Sequence, residues 1–324
     1  MGKMKKNKIS YLLLDYGLLL ALLLIIVVVS FISENFFSTN NMLNILRQVS
    51  VTGVMALGVS IVIIAGHMDL SIGSILSLSG VVVMTMVNDY SMDGVGVLMA
   101  LGAGAAVGLI NGVIIAAITG KKARTGESFI ITYGMQTAIA AFTLLVTNGV
   151  YINGKGGGFH SQIGKGMWPI IIFVGMAIVF YLLMNKTPFG RTIYFIGNNE
   201  PAARMSGVNV KFYTVAIFVI AGFCAGLAGV ILSSRVNAAS STAGNGMELD
   251  AIAAVVVGGT ALTGGKGGIG RTVLGVVVLG VLQNALHILN VTTYPQMIIR
   301  GSIIVLAVLF DVLAGKIKEK GGKV

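Results

Sequence analysis

Charged residues are scarce in this sequence of 324 residues, where Asp, Glu, Lys and Arg together make up 10%. A soluble domain usually carries about 25%. Hydrophobic residues make up 56% of the chain, and the mean hydropathy is +0.93. A water-soluble fold cannot bury this much apolar surface, so we predict that the solvent of this chain is a lipid bilayer.

Cysteine and histidine are also rare, which removes several kinds of site. The single Cys224 excludes an intrachain disulfide framework. The three His residues lie far apart and, with one Cys, show no spacing typical of metal ligands. No cluster of side chains suits a catalytic centre, which argues against a membrane enzyme and predicts no cofactor on this chain.

Long apolar runs are abundant, and ten are candidates for membrane-spanning helices. They are residues 11–32, 46–65, 70–87, 95–118, 128–147, 167–185, 211–232, 249–263, 272–290 and 298–314. The first resembles a signal peptide, but no small-residue cleavage site follows it, so we interpret it as a retained span. The sequence predicts an all-α, polytopic membrane protein with about ten transmembrane helices in one domain, residues 1–324, with tails at 1–10 and 315–324.

The basic residues predict the orientation of these spans. With ten crossings and a cytoplasmic N-terminus, both tails lie in the cytoplasm. Most of the 22 Lys and Arg residues then fall on the cytoplasmic side, and the exceptions are Arg47, Lys155, Lys165, Arg235 and Arg300. Because the charges follow a membrane face without aromatic interleaving, we do not expect the net charge of +11 to serve nucleic-acid binding.

Glycine is the common small residue, with 45 copies, and many recur at a spacing of four. Gly104, Gly108 and Gly112 form one such series, and Gly222 and Gly226 form another. On a helix this spacing makes a flat stripe that lets a neighbouring backbone approach closely. We predict packing surfaces, with a hinge or a solute-lining role as the alternative.

The stretch TGGKGGIG, residues 263–270, contains the pattern G-x-G-x-x-G of dinucleotide-binding loops. No strand precedes it, no acidic residue follows about 20 positions later, and the Walker pattern fails because position 260 is Thr. We therefore predict a tight turn, and no ATP hydrolysis by this chain alone.

Polar residues inside the apolar runs are the candidates for a solute path. In AGHMDLSIGS, residues 65–74, a buried carboxylate is costly unless it has a partner or water. Asp69 is interpreted either as a cap that holds a broken span together or as part of the path, with a proton relay through His67 as a third alternative. Ser71 is a candidate cap for the next helix. We add Asn111 and Asn284 as candidate path residues, although bonding between helices is the alternative for each.

Two further polar segments have helix-start signals. Glu248 and Asp250 lie where the sequence predicts a helix N-terminus, whose dipole favours carboxylates.

In IGNNEPAARMSGVNV, residues 196–210, Asn198 or Asn199 is a candidate cap, and Gly207 is a candidate helix end. A helix of about a turn and a half is unstable alone, so we expect it to dock onto another surface. A helix lying flat on the membrane is the alternative.

The stretches TPFGRTIYFIGNNEPAARMSGVNV and LDAIAAVVVGGTALTGGKGGIGRTVLGVVVLGVLQNAL, together with DLSIGS, resemble the permease subunits of bacterial ABC-type sugar importers. These are the ribose, galactose, xylose and arabinose permeases, and the resemblance covers roughly residues 38–315. It implies a coupling helix that docks into an ATPase subunit, made here of Glu200, Pro201, Ala202, Ala203, Arg204, Met205, Ser206 and Gly207.

The resemblance also implies the partners of such a subunit. They are an ATPase that binds the ATP, an extracytoplasmic sugar-binding protein and a second permease chain, expected to form a homodimer with this one, all at the bacterial plasma membrane. His67-Met68 before DLS, and TGKKARTGESFIITYGM before span five, depart from the family pattern and leave the sugar open. A permease for nucleosides or branched-chain amino acids, and an ion-coupled transporter that uses His67 and Asp69, are the alternatives.

Overall fold

The computed structural model describes residues 26–118, 125–156 and 158–303, with Leu20, Leu23, Leu24, Val305, Leu306 and Leu309. This part of the chain is mostly helical. The helices are α1 (Thr39–Ile64), α2 (Ile72–Tyr90), α3 (Asp93–Ile118), α4 (Thr125–Thr147), α5 (His160–Ile163), α6 (Trp168–Lys186), α7 (Pro188–Asn198), α8 (Glu200–Met205), α9 (Val210–Val236), α10 (Met247–Val257) and α11 (Ile269–Ile288). Two short strands, β1 (Ile152–Asn153) and β2 (Ala238–Ala239), pair antiparallel. The predicted all-α membrane fold is confirmed.

Seven helices among the described residues are long and apolar enough to cross a membrane: α1, α2, α3, α4, α6, α9 and α11. Each corresponds to one of the ten predicted spans. The predicted span 11–32 lies mostly outside the described residues, although 26–32 are helical. The predicted span 298–314 is described in part, and residues 293–303 are helical. The count of about ten therefore remains a prediction.

The predicted span 249–263 is wrong as a single crossing helix. Helix α10 has 11 residues and ends at Val257, so it is about 16 Å long, roughly half of the hydrocarbon thickness. Gly259 has φ +85°, a conformation that suits glycine and stops the helix. The apolar residues beyond it form a turn instead. A Cβ at Gly258 would meet the carbonyl oxygen of Arg271, so α10 turns back tightly against α11.

Helices α1 and α9 form the centre of the bundle. Both are largely buried, and α9 makes extensive contacts with α1, α2 and α3. The predicted glycine stripes are confirmed as packing surfaces at the α3–α9 contact. A Cβ at Gly104 would strike the carbonyl oxygen of Gly222, and a Cβ at Gly108 would strike that of Phe218.

The two ends of the bundle carry different structures. At one end, β1 and β2 pair, and α5 packs against α9, where His160 Nε2 lies 3.1 Å from Ser233 Oγ. We call this the β end. At the other end lie α7, α8, the link between α1 and α2, and the turn before α11. We call this the α8 end. Because α9 has 27 residues, the two ends are about 40 Å apart.

Candidate functional site

The predicted short helix is present as α8, and the signals that start and stop it are those read from the sequence. Asn199 Oδ1 accepts a hydrogen bond from Ala202 N at 3.1 Å, which caps the first turn. Glu200 and Pro201 occupy that turn. Gly207 has φ +81° and donates its N–H to the carbonyl oxygen of Arg204 at 3.0 Å, which closes the helix end.

Helix α8 presents one side to the protein and one side to the outside. Ala203 is fully buried in a small cluster with Ile196 and Val210. Arg204 forms an ion pair with Glu200, four residues earlier on the same helix. Met205 is 91% exposed, more than any other large hydrophobic side chain among the described residues. The helix is therefore docked along one side, and its outward side carries an apolar tip.

A junction of backbone contacts joins the end of α7 to two other parts of the bundle. Asn198 Nδ2 donates to the carbonyl oxygen of Gly265 at 3.3 Å, and Gly265 N donates to that of Ile64 at 2.8 Å. Gly197 lies so close to Ile64 that a Cβ would strike the carbonyl oxygen of Ile64. The segment that holds α8 thus contacts both the last residue of α1 and the turn before α11.

Tyr194 of α7 adds a side-chain bond to this junction. Burial raises the pKa of its hydroxyl, which is therefore neutral and donates to the carbonyl oxygen of Gly267 at 3.2 Å. The glycine-rich stretch 263–270 contains the turn that was predicted, with φ +84° at Gly264 and +72° at Gly265. Its role in the described structure is to pack against α1 and α7.

The link between α1 and α2 is a real break, and Asp69 organises it. Asp69 Oδ1 accepts hydrogen bonds from Ser71 N at 2.9 Å and from Ser71 Oγ at 2.6 Å. Asn111 Nδ2 of α3 donates to Ser71 Oγ at 2.8 Å. These bonds favour the interpretation that Asp69 holds the broken span together, although Asp69 accepts from Ser71 and not from an N–H inside α2. The prediction that the Ser71 side chain caps α2 is wrong. The Ser71 hydroxyl bonds to Asp69 instead.

Three of the predicted path residues thus meet, and His67 lies near them without joining their hydrogen bonds. The His67 ring packs 5.9 Å from that of Phe218, and its Nδ1 has no hydrogen-bond partner in the described structure. In the part of the chain that the structure describes, His67 and Asp69 form no ion pair. A proton relay that runs directly between these two side chains is not supported by this geometry.

Helix α4 supplies hydrogen bonds to the Asp69 break and to α10 that the sequence analysis did not assign. Met68 N donates to Ser128 Oγ at 3.0 Å, and Leu70 N donates to Thr132 Oγ1 at 3.2 Å. One turn further, Gln136 Nε2 donates to Glu248 Oε1 at 2.9 Å. The spacing of four between these polar residues, on an otherwise apolar helix, is the signal in the sequence that identifies this face.

Glu248 and Asp250 lie in the first turn of α10, as predicted, but they also bind other elements. Glu248 is buried against Gly73 and bonded to α4, as described above. Asp250 Oδ2 accepts from Gln283 Nε2 at 3.2 Å and from Arg300 Nη1 at 3.1 Å. The two carboxylates hold the free end of α10 between α4, α11 and the helical residues 293–303.

Asn284 is not near the other predicted path residues. It lies toward the β end of α11, where its amide and that of Asn41 on α1 exchange two hydrogen bonds of 2.7 and 3.1 Å. A neighbouring pair, Gln48 Nε2 to Gln283 Oε1 at 3.1 Å, joins the same two helices. This arrangement favours the interhelical alternative for Asn284. No group of His, Cys, Asp and Glu among the described residues suits a metal ion.

Comparisons with known proteins extend along almost the whole chain. The chain is 42% identical over 311 residues to the ribose import permease protein RbsC of Escherichia coli strain K12, which covers 92% of this chain and 94% of that protein. It is 40% identical over 301 residues to the RbsC of Bacillus subtilis strain 168, with 91% and 92% covered. It is 36% identical over 311 residues to the D-allose transport system permease protein AlsC of Escherichia coli strain K12, with 93% and 92% covered.

No solved structure shows a significant match to this chain. A family model described as branched-chain amino acid transport system / permease component matches residues 41–308, which include every labelled helix except the first two residues of α1. This match and the identities above place the chain among multi-pass transport components. The chain belongs to the branched-chain amino acid transport system / permease component family, alongside the ribose and D-allose permeases.

Proposed function

We propose that this chain is the membrane-spanning permease subunit of an ATP-binding-cassette importer for a small neutral sugar. The observation that carries the proposal is the 42% identity over 311 residues to a ribose import permease, a match that covers 92% of this chain. Relatives of this kind are transport components and not enzymes. The mechanism is alternating access, in which a partner ATPase supplies the energy and this chain binds no cofactor of its own.

The orientation and the partners belong to the same proposal. The α8 end, with Lys186, Arg191, Arg204 and Lys266, faces the cytoplasm of a bacterial cell, and both termini lie on that side. An ATPase subunit docks there, and an extracytoplasmic sugar-binding protein delivers the solute at the β end. A second copy of the chain completes the membrane part, and residues 1–324 form one permease domain.

Residues Glu200 to Gly207 serve as the coupling helix in this proposal. Two observations support it: α8 is docked on one side with its tip exposed, and the preceding helix touches Ile64 and the turn before α11. A displacement of α8 therefore reaches the end of α1, the start of the Asp69 break at Gly66 and the turn between α10 and α11 through short contacts. Met205, at 91% exposure, is the outward side chain available to a partner.

Two substitutions test the coupling role, and both leave the membrane-buried helices untouched. Proline at position 207 cannot adopt the positive φ, and it lacks the N–H that donates to the carbonyl oxygen of Arg204. We therefore expect the Gly207→Pro variant to lose ATP-driven uptake while it still inserts into the membrane. Gly207→Asn is the matched control, since Asn tolerates this conformation. Charge reversal at Arg204 is expected to act like the Pro variant; normal uptake by both variants would count against the coupling role.

The decisive experiment is reconstitution of the chain with its ATPase and binding protein in liposomes. We expect uptake of radiolabelled D-ribose that requires ATP and is unaffected by collapse of ion gradients. Crosslinks between positions 200–207 and the ATPase are expected in the same preparation. Uptake driven by an ion gradient with no ATPase present would support the ion-coupled alternative instead.

A second candidate solute class follows from the name of the matching family model, which refers to branched-chain amino acids. Nucleosides are a further alternative for a neutral, hydroxylated solute. Binding assays with the partner binding protein separate these classes, because that protein selects the ligand. Binding of L-leucine or uridine and not of a monosaccharide would replace the sugar in the proposal and leave the importer intact.

A further inference from the structure

A cleft between helices lies at the β end, far from the coupling segment. Its volume is about 290 Å³, just below the roughly 300–1,000 Å³ typical of ligand pockets. It lies between α2, α9 and the loop after β2, and Tyr151 stands beside it. The predicted path residues His67, Asp69, Ser71, Asn111 and Asn284 are not among its lining residues.

We propose that this cleft is the first binding site in the membrane for the monosaccharide, occupied between release from the binding protein and entry into the bundle. The proposal rests on the proposed function above and names a site within it. The evidence is the size of the cleft, the chemistry of its wall and the way its rim is fixed.

The wall combines the two kinds of surface that a sugar requires. Ser240 and Thr242 present hydroxyl groups that bond to each other at 3.1 Å, and Thr242 is exposed. Each hydroxyl can donate one hydrogen bond and accept two, so both can exchange their mutual bond for bonds to a solute. The apolar part of the wall includes Leu76 and Leu232, which suit the C–H face of a sugar ring.

The floor of the cleft is polar but already satisfied. Ser77 Oγ accepts from Gly244 N at 2.9 Å, and Ser233 Oγ donates to the carbonyl oxygen of Val230 at 3.1 Å. Both side chains are almost completely buried. These residues therefore shape the cleft, and the groups available to a solute are at its rim.

Tyr151 is the aromatic part of that rim and is 64% exposed. The pairing of Ile152 with Ala239, and of Asn153 with Ala238, brings Tyr151 into line with the loop that carries Ser240. Gly154 N donates to the carbonyl oxygen of Asn237 at 2.8 Å, which fastens the strand pair from the other side. An aromatic ring held in this way offers an apolar face and a hydroxyl to one ligand without loss of much conformational freedom.

The charge of the lining selects the solute class. No charged residue is among the described residues that line the cleft. A branched-chain amino acid carries a carboxylate and an ammonium group, and each is costly to take out of water without a partner. A neutral monosaccharide needs only hydroxyl partners and an apolar surface, which the cleft supplies.

Protection of an introduced cysteine tests the site without any transport measurement. The one native cysteine, Cys224, is fully buried, so we expect that a water-soluble maleimide does not modify its thiol. Ala243→Cys places a reporter inside the cleft, and Asn245→Cys places one on the same loop outside it. In lipid nanodiscs, D-ribose at twice its dissociation constant should slow modification of the reporter about threefold and leave the control unchanged.

Substitution of the aromatic rim sharpens this test. Tyr151→Ala, combined with the Ala243→Cys reporter, should raise the ribose concentration for half protection about fivefold, which corresponds to about 1 kcal/mol. Tyr90→Ala is the matched control, because Tyr90 is 62% exposed at the end of α2 and does not line the cleft. It should leave the midpoint unchanged.

The outcomes separate this site from the proposed function. Absence of protection by D-ribose, with normal ATP-driven uptake of ribose by the reconstituted complex, would refute the cleft as a sugar site and leave the function intact. Protection by ribose in a complex that imports no sugar would support the site and overturn the function. Protection by L-leucine or uridine, with none by ribose, would overturn the assignment of the cleft to a monosaccharide.

Discussion

Helices α9 and α4 are both long and apolar enough to cross the bilayer, but the bundle holds them in different ways. In its most apolar stretch, 61% of the residues of α9 are buried, compared with 11% for α4. Helix α9 packs backbone to backbone against α3 through glycines, whereas α4 is attached to the Asp69 break and to α10 by a few side-chain hydrogen bonds. One helix is fixed by shape and the other by polar contacts.

This difference follows from the solvent. Lipid provides no hydrophobic driving force between helices, so close packing and hydrogen bonds must replace it. Close packing along a glycine stripe cannot adjust without loss of many contacts at once, so we expect α3 and α9 to move as one unit. Hydrogen bonds at three points along α4 can break singly: two join α4 to the Asp69 break, and the third joins it to the first turn of α10.

The largest expected effect is at the α3–α9 contact. Gly108→Leu places a side chain where a Cβ alone would strike the backbone of Phe218, so we expect the protein to lose its folded state in the membrane. Gly102→Leu on the same helix is the control, since a Cβ at Gly102 meets nothing within 4 Å. Yield and thermal stability in detergent would measure the difference, and equal behaviour of the two variants would refute the rigid contact.

The sequence predicted the parts of this architecture that depend on local pattern. The glycine stripes, the caps at Asn199 and Gly207 and the turn at 263–270 follow from spacing and backbone preference over a few residues. Seven spans follow from apolar length. Helix α1 begins at Thr39 and not at 46, because Ser38 Oγ accepts from Asn41 N and carries the helix through polar residues that resemble a loop.

The parts that sequence could not predict depend on contacts between distant residues. Residues 249–263 are as apolar as a spanning helix, but the approach of Gly258 to Arg271 decides where α10 ends. Asn284 was grouped with Asp69 because both are polar and intramembrane. Its partner is Asn41, 243 positions away, and no local pattern signals such a pair. The cleft at the β end is likewise formed by segments that only the fold brings together.

A smaller but still large effect is expected at the break that anchors α4. Asp69→Ala removes the acceptor for Ser71 N and Ser71 Oγ in a fully buried position, at a cost of about 1–3 kcal/mol for the unpaired groups. We expect a marked loss of thermal stability together with reduced uptake. Asp69→Asn keeps one acceptor oxygen and should recover part of both. A stable, fully active Asp69→Ala protein would show that the break does not depend on this carboxylate.

The smallest expected effect is at the α4 side of the same contact. Thr132→Val preserves the shape of the side chain but leaves Leu70 N without its acceptor, and interhelical bonds of this kind contribute about 0.6–2 kcal/mol in a membrane. Thr137→Val is the control, because the Thr137 hydroxyl is exposed and bonds only within its own helix, to Tyr133. If polar contacts alone fix α4, hydrogen exchange should speed up in α4 and in residues 65–71 of the Thr132 variant and stay unchanged in α9. Faster exchange in α9 as well would mean that α4 and the glycine-packed core move together, and the contrast between the two helices would fail.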